Sequence, residues 1–200
     1  MTELLTNSTN QRHLELLLSL WVKAEEISVA VAYLKNTGLA HFRDIIQAKA
    51  RKGVSQRLLC SLDFGLSDPS ALSELRKTLE ERSPSGLFLA NEKLTFHPKI
   101  YCFKIAGEYH IITGSANFTN GGLGENVEAS LYAVAPESDK LANQTLAWFK
   151  KMFSSEYSEP ATELKISQYT KFHQEQAANR KKYQKRKPAS KKEIYPVDYP

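Results

Sequence analysis

The chain has 200 residues, 42% of them hydrophobic and 24% charged, which suits one domain with a substantial core and excludes a disordered or fibrous chain. Its apolar run at residues 14–22 is far shorter than the roughly 20 residues a bilayer requires, and residues 1–10 lack a basic leader, so a cytoplasmic protein without membrane attachment is expected. Of the net charge of +5, residues 171–200 hold nine Lys and Arg against three Asp and Glu, a tail suited to a polyanion or, equally, a solvated helix end.

The spacing of Leu14, Leu17, Leu18 and Trp21 predicts a helix over residues 10–24. Residues 27–34, small and β-branched, read as a strand covered on both faces. Leu39, Phe42, Ile45 and Ile46 mark a second helix, stopped by Gly53 and followed by a strand over 54–62. Asp68 and Pro69 open a third helix carrying Leu72, Leu75 and Leu79, and residues 86–90 form a short strand. Three strands follow, at 95–105, 109–113 and 126–134, the first two paired through a turn at Gly107. A helix over 137–153 closes a domain spanning residues 1–155. Residues 156–200 read as a basic extension, helical to about 187 and then irregular because of its prolines. Strand and helix alternating first, then a hairpin-rich half, predicts an α/β fold: a mixed parallel and antiparallel sheet with helices on both faces. Cys60 and Cys102 each lie in an apolar run without a partner at metal-ligand spacing, and read as buried thiols.

Several polar residues interrupt these late strands. His97 and Lys99, two apart, project from one strand face. Gly114, Ser115 and Asn117 form a turn whose small residues and amide let backbone and side-chain donors approach an anion. Glu128, between Val127 and Ala129, is costly in such a run unless a donor meets it, and the natural donor is a histidine ring N–H.

The order "HPK", "GSAN", "NVE" resembles the phospholipase D superfamily, whose motif is His-x-Lys followed by Gly-Ser-x-Asn. The stretch "GSANFTNGGLGENVEAS" is similar to the nuclease branch, the bacterial phospholipase D-like and metal-independent restriction endonucleases, with Glu at the same offset after the Asn. The likeness spans residues 25–155 and is specific from His97 to Glu128. Many members carry Asp five residues after the motif Lys. Here that residue is Lys104, which weakens a lipid-directed reading.

The resemblance implies catalysis without cofactor or metal, with His97 attacking phosphorus to form a phosphohistidine. A second imidazole must then protonate the leaving oxygen and activate water. With one motif per chain, the resemblance implies a two-fold homodimer sharing a single site. Lys99 and Asn117 would hold the phosphate oxygens, Glu128 the His97 ring N–H, and Ser115 would join that network; Gly114 and Thr119 are expected against substrate. Glu163 and Lys165 resemble half of a metal-nuclease motif by chance. His13, His41 and His173 are expected at the surface, with His110 structural and Phe118 packing the turn. The leading function is a phosphodiesterase cleaving DNA, of restriction or defence type. A phospholipid phosphodiesterase and a non-catalytic nucleic-acid-binding module are the alternatives.

Overall fold

The structure, a computed structural model, describes residues 1–8, 12–80, 85–93 and 95–186. The irregular end expected after residue 187 lies outside them. In chain order the elements are β1 (Thr2–Thr6), α1 (His13–Lys23), β2 (Glu26–Val31), α2 (Asn36–Leu39), α3 (Arg43–Arg51), β3 (Ser55–Cys60), α4 (Pro69–Glu80) and β4 (Gly86–Ala90). Then come β5 (Lys99–Ile105), β6 (Glu108–Gly114), β7 (Ala129–Pro136), α5 (Lys140–Met152), β8 (Ser158–Pro160) and α6 (Glu163–Arg186). A 3-10 turn at Asp63–Gly65 and a π turn at Gly121–Glu125 supplement them.

All eight strands among the described residues belong to one sheet of order β1-β7-β6-β5-β2-β3-β4-β8. β2, β3 and β4 run parallel, and every other pair is antiparallel. Because side chains alternate along a strand, each central strand feeds two cores. Ile27, Val29 and Val31 of β2, Leu58 and Cys60 of β3, and Tyr101 and Phe103 of β5 join one core, covered by α1, α3, α4 and the start of α6. Ala30, Leu59 and Cys102, from the same strands, join the other, beneath Ala142, Phe149 and Met152 of α5. The predicted mixed sheet with helices on both faces is therefore what forms. Cys60 and Cys102 are buried thiols, each pushed up to about 12 by burial.

Four local features differ from expectation. β1 is an additional edge strand, held to β7 with Leu4 opposite Leu131. The helix expected around Leu39 to Ile46 is broken into α2 and α3 at Phe42, whose ring is wholly buried against Trp21 and Phe118. Residues 95–98 lie outside any strand, so β5 begins at Lys99. The body also continues past residue 155. β8 pairs with β4, and Ile166 and Tyr169 of α6 are buried in the core.

The β5–β6 hairpin turns at Ala106 and Gly107, with φ of 49° and 80°, the two left-handed residues that a two-residue turn of matching twist requires. Lys99 pairs with Val31, and Ile100 with Thr113. The start of β5 and the end of β6 thus meet at the carboxyl ends of the parallel strands, where open α/β sheets present their clefts.

Candidate active site

His97 is exposed on the unpaired approach to β5, while Lys99, its first residue, is only 7% exposed. The two-residue spacing does bring them together. The Lys99 Nζ lies 2.9 Å from Nδ1 and 3.2 Å from Nε2 of the ring, and donates to the His97 carbonyl at 3.0 Å. In a neutral imidazole one ring nitrogen carries a lone pair, which is what a nucleophile needs. Burial lowers the Lys99 pKa from the ordinary lysine value, and the Glu128 carboxylate opposes that shift.

The turn after β6 is pinned from below. Tyr101, two residues after Lys99, donates its hydroxyl to the Ala116 carbonyl at 2.9 Å. Phe118, fully buried, packs against Trp21, Phe42 and Tyr101 as expected, a burial that contributes about 1.5–3 kcal/mol. Asn117 Oδ1 accepts the Tyr33 backbone N–H at 3.1 Å, which commits the amide oxygen and leaves Nδ2 as the donor end. Gly114 permits a close approach of β7: a Cβ there would come 2.5 Å from Ser130 Cα and would strike the Ala129 carbonyl oxygen. The Thr119 hydroxyl accepts the Gly122 N–H at 3.0 Å, which helps hold the π turn.

Glu128 does not meet His97. Its carboxylate takes the Ser115 hydroxyl on Oε2 and the Asn126 amide on Oε1, the latter at 3.2 Å, while the His97 ring faces Lys99. Strand order is the reason: Glu128 leads into β7, beside the end of β6, and β6 lies between it and β5. Its charge still acts through space on Lys99, Tyr101 and His13.

His13 corrects the expectation most. It is wholly buried, with Nδ1 2.7 Å from Asn7 Oδ1 and Nε2 2.8 Å from Ser130 Oγ. Asn7 in turn donates to the Gly122 and Asn126 carbonyls, both at 3.1 Å, so this chain of bonds forms the floor beneath Gly114 and the π turn. Burial lowers the His13 pKa, opposed by Glu128. The remaining histidines are less consequential. His41 is exposed and lies 3.0 Å from Asn120 Oδ1, His110 sits 2.6 Å from the Tyr132 hydroxyl, and His173 is half-buried 4.0 Å from Asp68. Glu163 pairs with Arg76, and Lys165 with Glu159. Lys104 lies at the far end of β5, paired with Glu137 at 3.0 Å and Glu26 at 3.6 Å.

Two further residues line the site. The Tyr33 ring stands nearly perpendicular to His97 with centroids 5.8 Å apart, and the Lys99 Nζ lies 5.9 Å from its centre. The signal was its position, directly after the apolar run of β2, at the carboxyl edge of the parallel strands. Trp148 of α5 joins His97, Lys99, Thr113 and Gly114 around an open groove of about 460 Å³.

A histidine and a buried lysine at the head of a strand, beside a Gly-Ser-x-Asn turn, occupy the span that residues 22–153 match to the family described as cardiolipin synthase, PLD-like domain. The chain belongs to the phospholipase D-like family. No curated protein matches its sequence. Among solved structures, this phospholipase D-like chain is similar to Nuc from Salmonella typhimurium, a phospholipase D family member, at TM-score 0.60 and 16% identity, covering 80% of this chain and 97% of that one. It is also similar to NucT from Helicobacter pylori, at TM-score 0.57 and 15% identity over 80% and 99% of the two chains. Against phosphatidylserine synthase from Haemophilus influenzae the TM-score is 0.62 at 12% identity, over 91% of this chain but only 46% of that longer one. At these identities the likeness is one of fold.

Proposed function

We propose that this phospholipase D-like chain is a metal-independent phosphodiesterase that cleaves DNA, and that its site is completed by a second copy of itself. The observation that carries the proposal is the exposed His97 ring against the buried Lys99 side chain: a nucleophile and an oxyanion-binding cation side by side at the head of β5. In the first step a His97 nitrogen forms a bond to phosphorus as the P–O bond to the leaving oxygen breaks. The His97 of the second copy gives that oxygen its proton. Water then attacks phosphorus, losing a proton to the second imidazole, and the P–N bond breaks to restore His97. Lys99 and Asn117 Nδ2 from both copies stabilise the charge on the non-bridging oxygens. Glu128 holds Ser115 and, against the larger effect of burial, favours the charged form of Lys99, a role at one remove from the ring contact expected of it.

The surface next to the groove supports a second copy. Ile100, Thr113, Leu131 and Leu4 form one row across β5, β6, β7 and β1, on the face that α5 covers elsewhere. Leu131 and Leu4 remain 53% and 67% exposed, and nearby Val127 is fully exposed. An apolar patch bordering a site with one imidazole is suited to self-association. This chain covers Nuc and NucT almost end to end, but less than half of the phosphatidylserine synthase chain.

The test is hydrolysis of plasmid DNA, and in parallel of phosphatidylcholine vesicles, in excess EDTA. Activity on DNA that survives chelation and vanishes in His97→Ala is expected. Loss of all activity on chelation, or activity on lipid alone, refutes the proposal. Leu131→Glu is expected to give a monomer by sedimentation together with loss of cleavage, and a fully active monomer refutes the shared site.

A further inference from the structure

A second cavity, of about 350 Å³, opens between the loop after β3 and helix α6. We propose that it receives an unstacked base of the substrate strand, stacked against Phe64 and Phe172, adjacent to the phosphodiester being cleaved. The inference rests on the nucleic-acid reading above and adds what holds the strand. Its size is within the range of ordinary ligand pockets.

Phe64 has φ 60° and ψ 6°, a left-handed conformation that side chains other than glycine adopt only under strain, and it is followed by Gly65 at φ 60°. The outcome is an aromatic ring 63% exposed at the cavity rim, with Phe172 of α6 40% exposed on the opposite element. The loop is fixed rather than loose. Ser61 Oγ accepts the Asp63 N–H at 2.9 Å, Ser67 Oγ donates to the Ser61 carbonyl at 2.8 Å, and Tyr169 donates to the Ser67 carbonyl at 2.7 Å. Both serines are buried. The left-handed backbone and the buried polar frame present the Phe64 ring at the cavity rim, where a flat aromatic ligand can stack on it.

Charge narrows the ligand. Asp63 and Glu92 line the cavity, and the ammonium of Lys165 is paired with Glu159, so a phosphate is disfavoured there while a neutral ring is not. Gln168 offers both an amide donor and an acceptor to a base edge. The cavity is also tied to the chemistry: Asp63 Oδ2 accepts the backbone N–H of Phe96 at 3.2 Å, one residue before His97.

The test uses the full chain and end-labelled single-stranded oligonucleotides, intact or with one abasic site stepped past the cleaved bond. Phe64→Gly and Phe172→Ala are each expected to lower kcat/KM on intact strands about 10- to 100-fold. One abasic position is expected to cost the native protein a similar factor, and Phe64→Gly to lose nothing further on that substrate. Glycine suits φ 60°, so Phe64→Gly is expected to unfold at or above the native Tm, which separates lost stacking from lost folding. Undiminished activity of both variants, or equal losses on intact and abasic strands, overturns the proposal. So does a loss confined to binding of phosphatidylcholine vesicles, which would make the occupant an acyl chain. Should the native protein cleave no DNA, the nuclease reading fails on its own. The cavity is then judged by fluorescence-anisotropy affinity for the same strands: the same non-additive loss upholds it and its absence overturns it.

Discussion

Replacing His13 tests whether a residue that never reaches the cleft sustains it. In His13→Ala, Asn7 Oδ1 and Ser130 Oγ lose their ring partners, at about 1 kcal/mol each. Emptying the ring's volume in a wholly buried site adds about 2 kcal/mol or more, for a total near 4 kcal/mol, a large share of a typical domain's stability. A pH effect distinguishes the charge from the packing. Burial holds the His13 pKa below the ordinary 6.5, so the unfolded chain binds the proton more readily than the folded one. The stability this contributes is present above pH 6.5 and is lost as the pH falls below it, by up to about 1.4 kcal/mol between pH 7.5 and 5.5. His110 is lowered in the same direction by burial and contributes a separate loss, so the comparison needs both His13→Gln and His110→Gln. Urea unfolding at the two pH values is expected to show a smaller acid loss in His13→Gln than in the native protein. An unchanged acid loss, or a His13→Ala cost under 1 kcal/mol, refutes the assignment of His13 as a neutral buttress.

Gly114→Ala forces β7 away from β6 and is expected to cost about 1–3 kcal/mol in thermal unfolding, with cleavage falling alongside. Tyr101→Phe leaves the buried Ala116 carbonyl without its hydroxyl donor, an expected loss of about 1–3 kcal/mol, and kcat should fall more than KM rises because the turn carrying Asn117 loosens. Since burial lowers the Lys99 pKa, the alkaline limb of the pH–rate profile is expected below the ordinary lysine value of 10.5 and should vanish in Lys99→Arg, whatever activity that variant retains.

The sheet and the contact between His97 and Lys99 were legible because they follow from short-range rules. The two-residue period put His97 and Lys99 on one face, and the runs around Val29, Leu59 and Phe103 announced strands buried on both sides. What stayed hidden depends on which strands become neighbours. Glu128 had a chemically sensible partner in His97, but β6 separates them and gives Ser115 instead. β1 is five residues long with only Leu5 buried, and its partner lies at the other end of the domain. His13 left a usable trace: it stands four, seven and eight positions before Leu17, Leu20 and Trp21, on the stripe that α1 buries, so its face could be read although its hydrogen-bond partners could not.

The pairing of β1 with β7 also orders the events of folding. β5, β6 and β7 are consecutive antiparallel strands that need only local loop closures, whereas Leu4 must find Leu131 across most of the chain. A molecule caught between these stages has His97, Lys99, Asn117 and Glu128 already arrayed on their strands, but Asn7 and His13 not yet beneath them. Competence would then arrive as a late step, when the N-terminal segment docks, and refolding activity would lag behind the recovery of sheet structure.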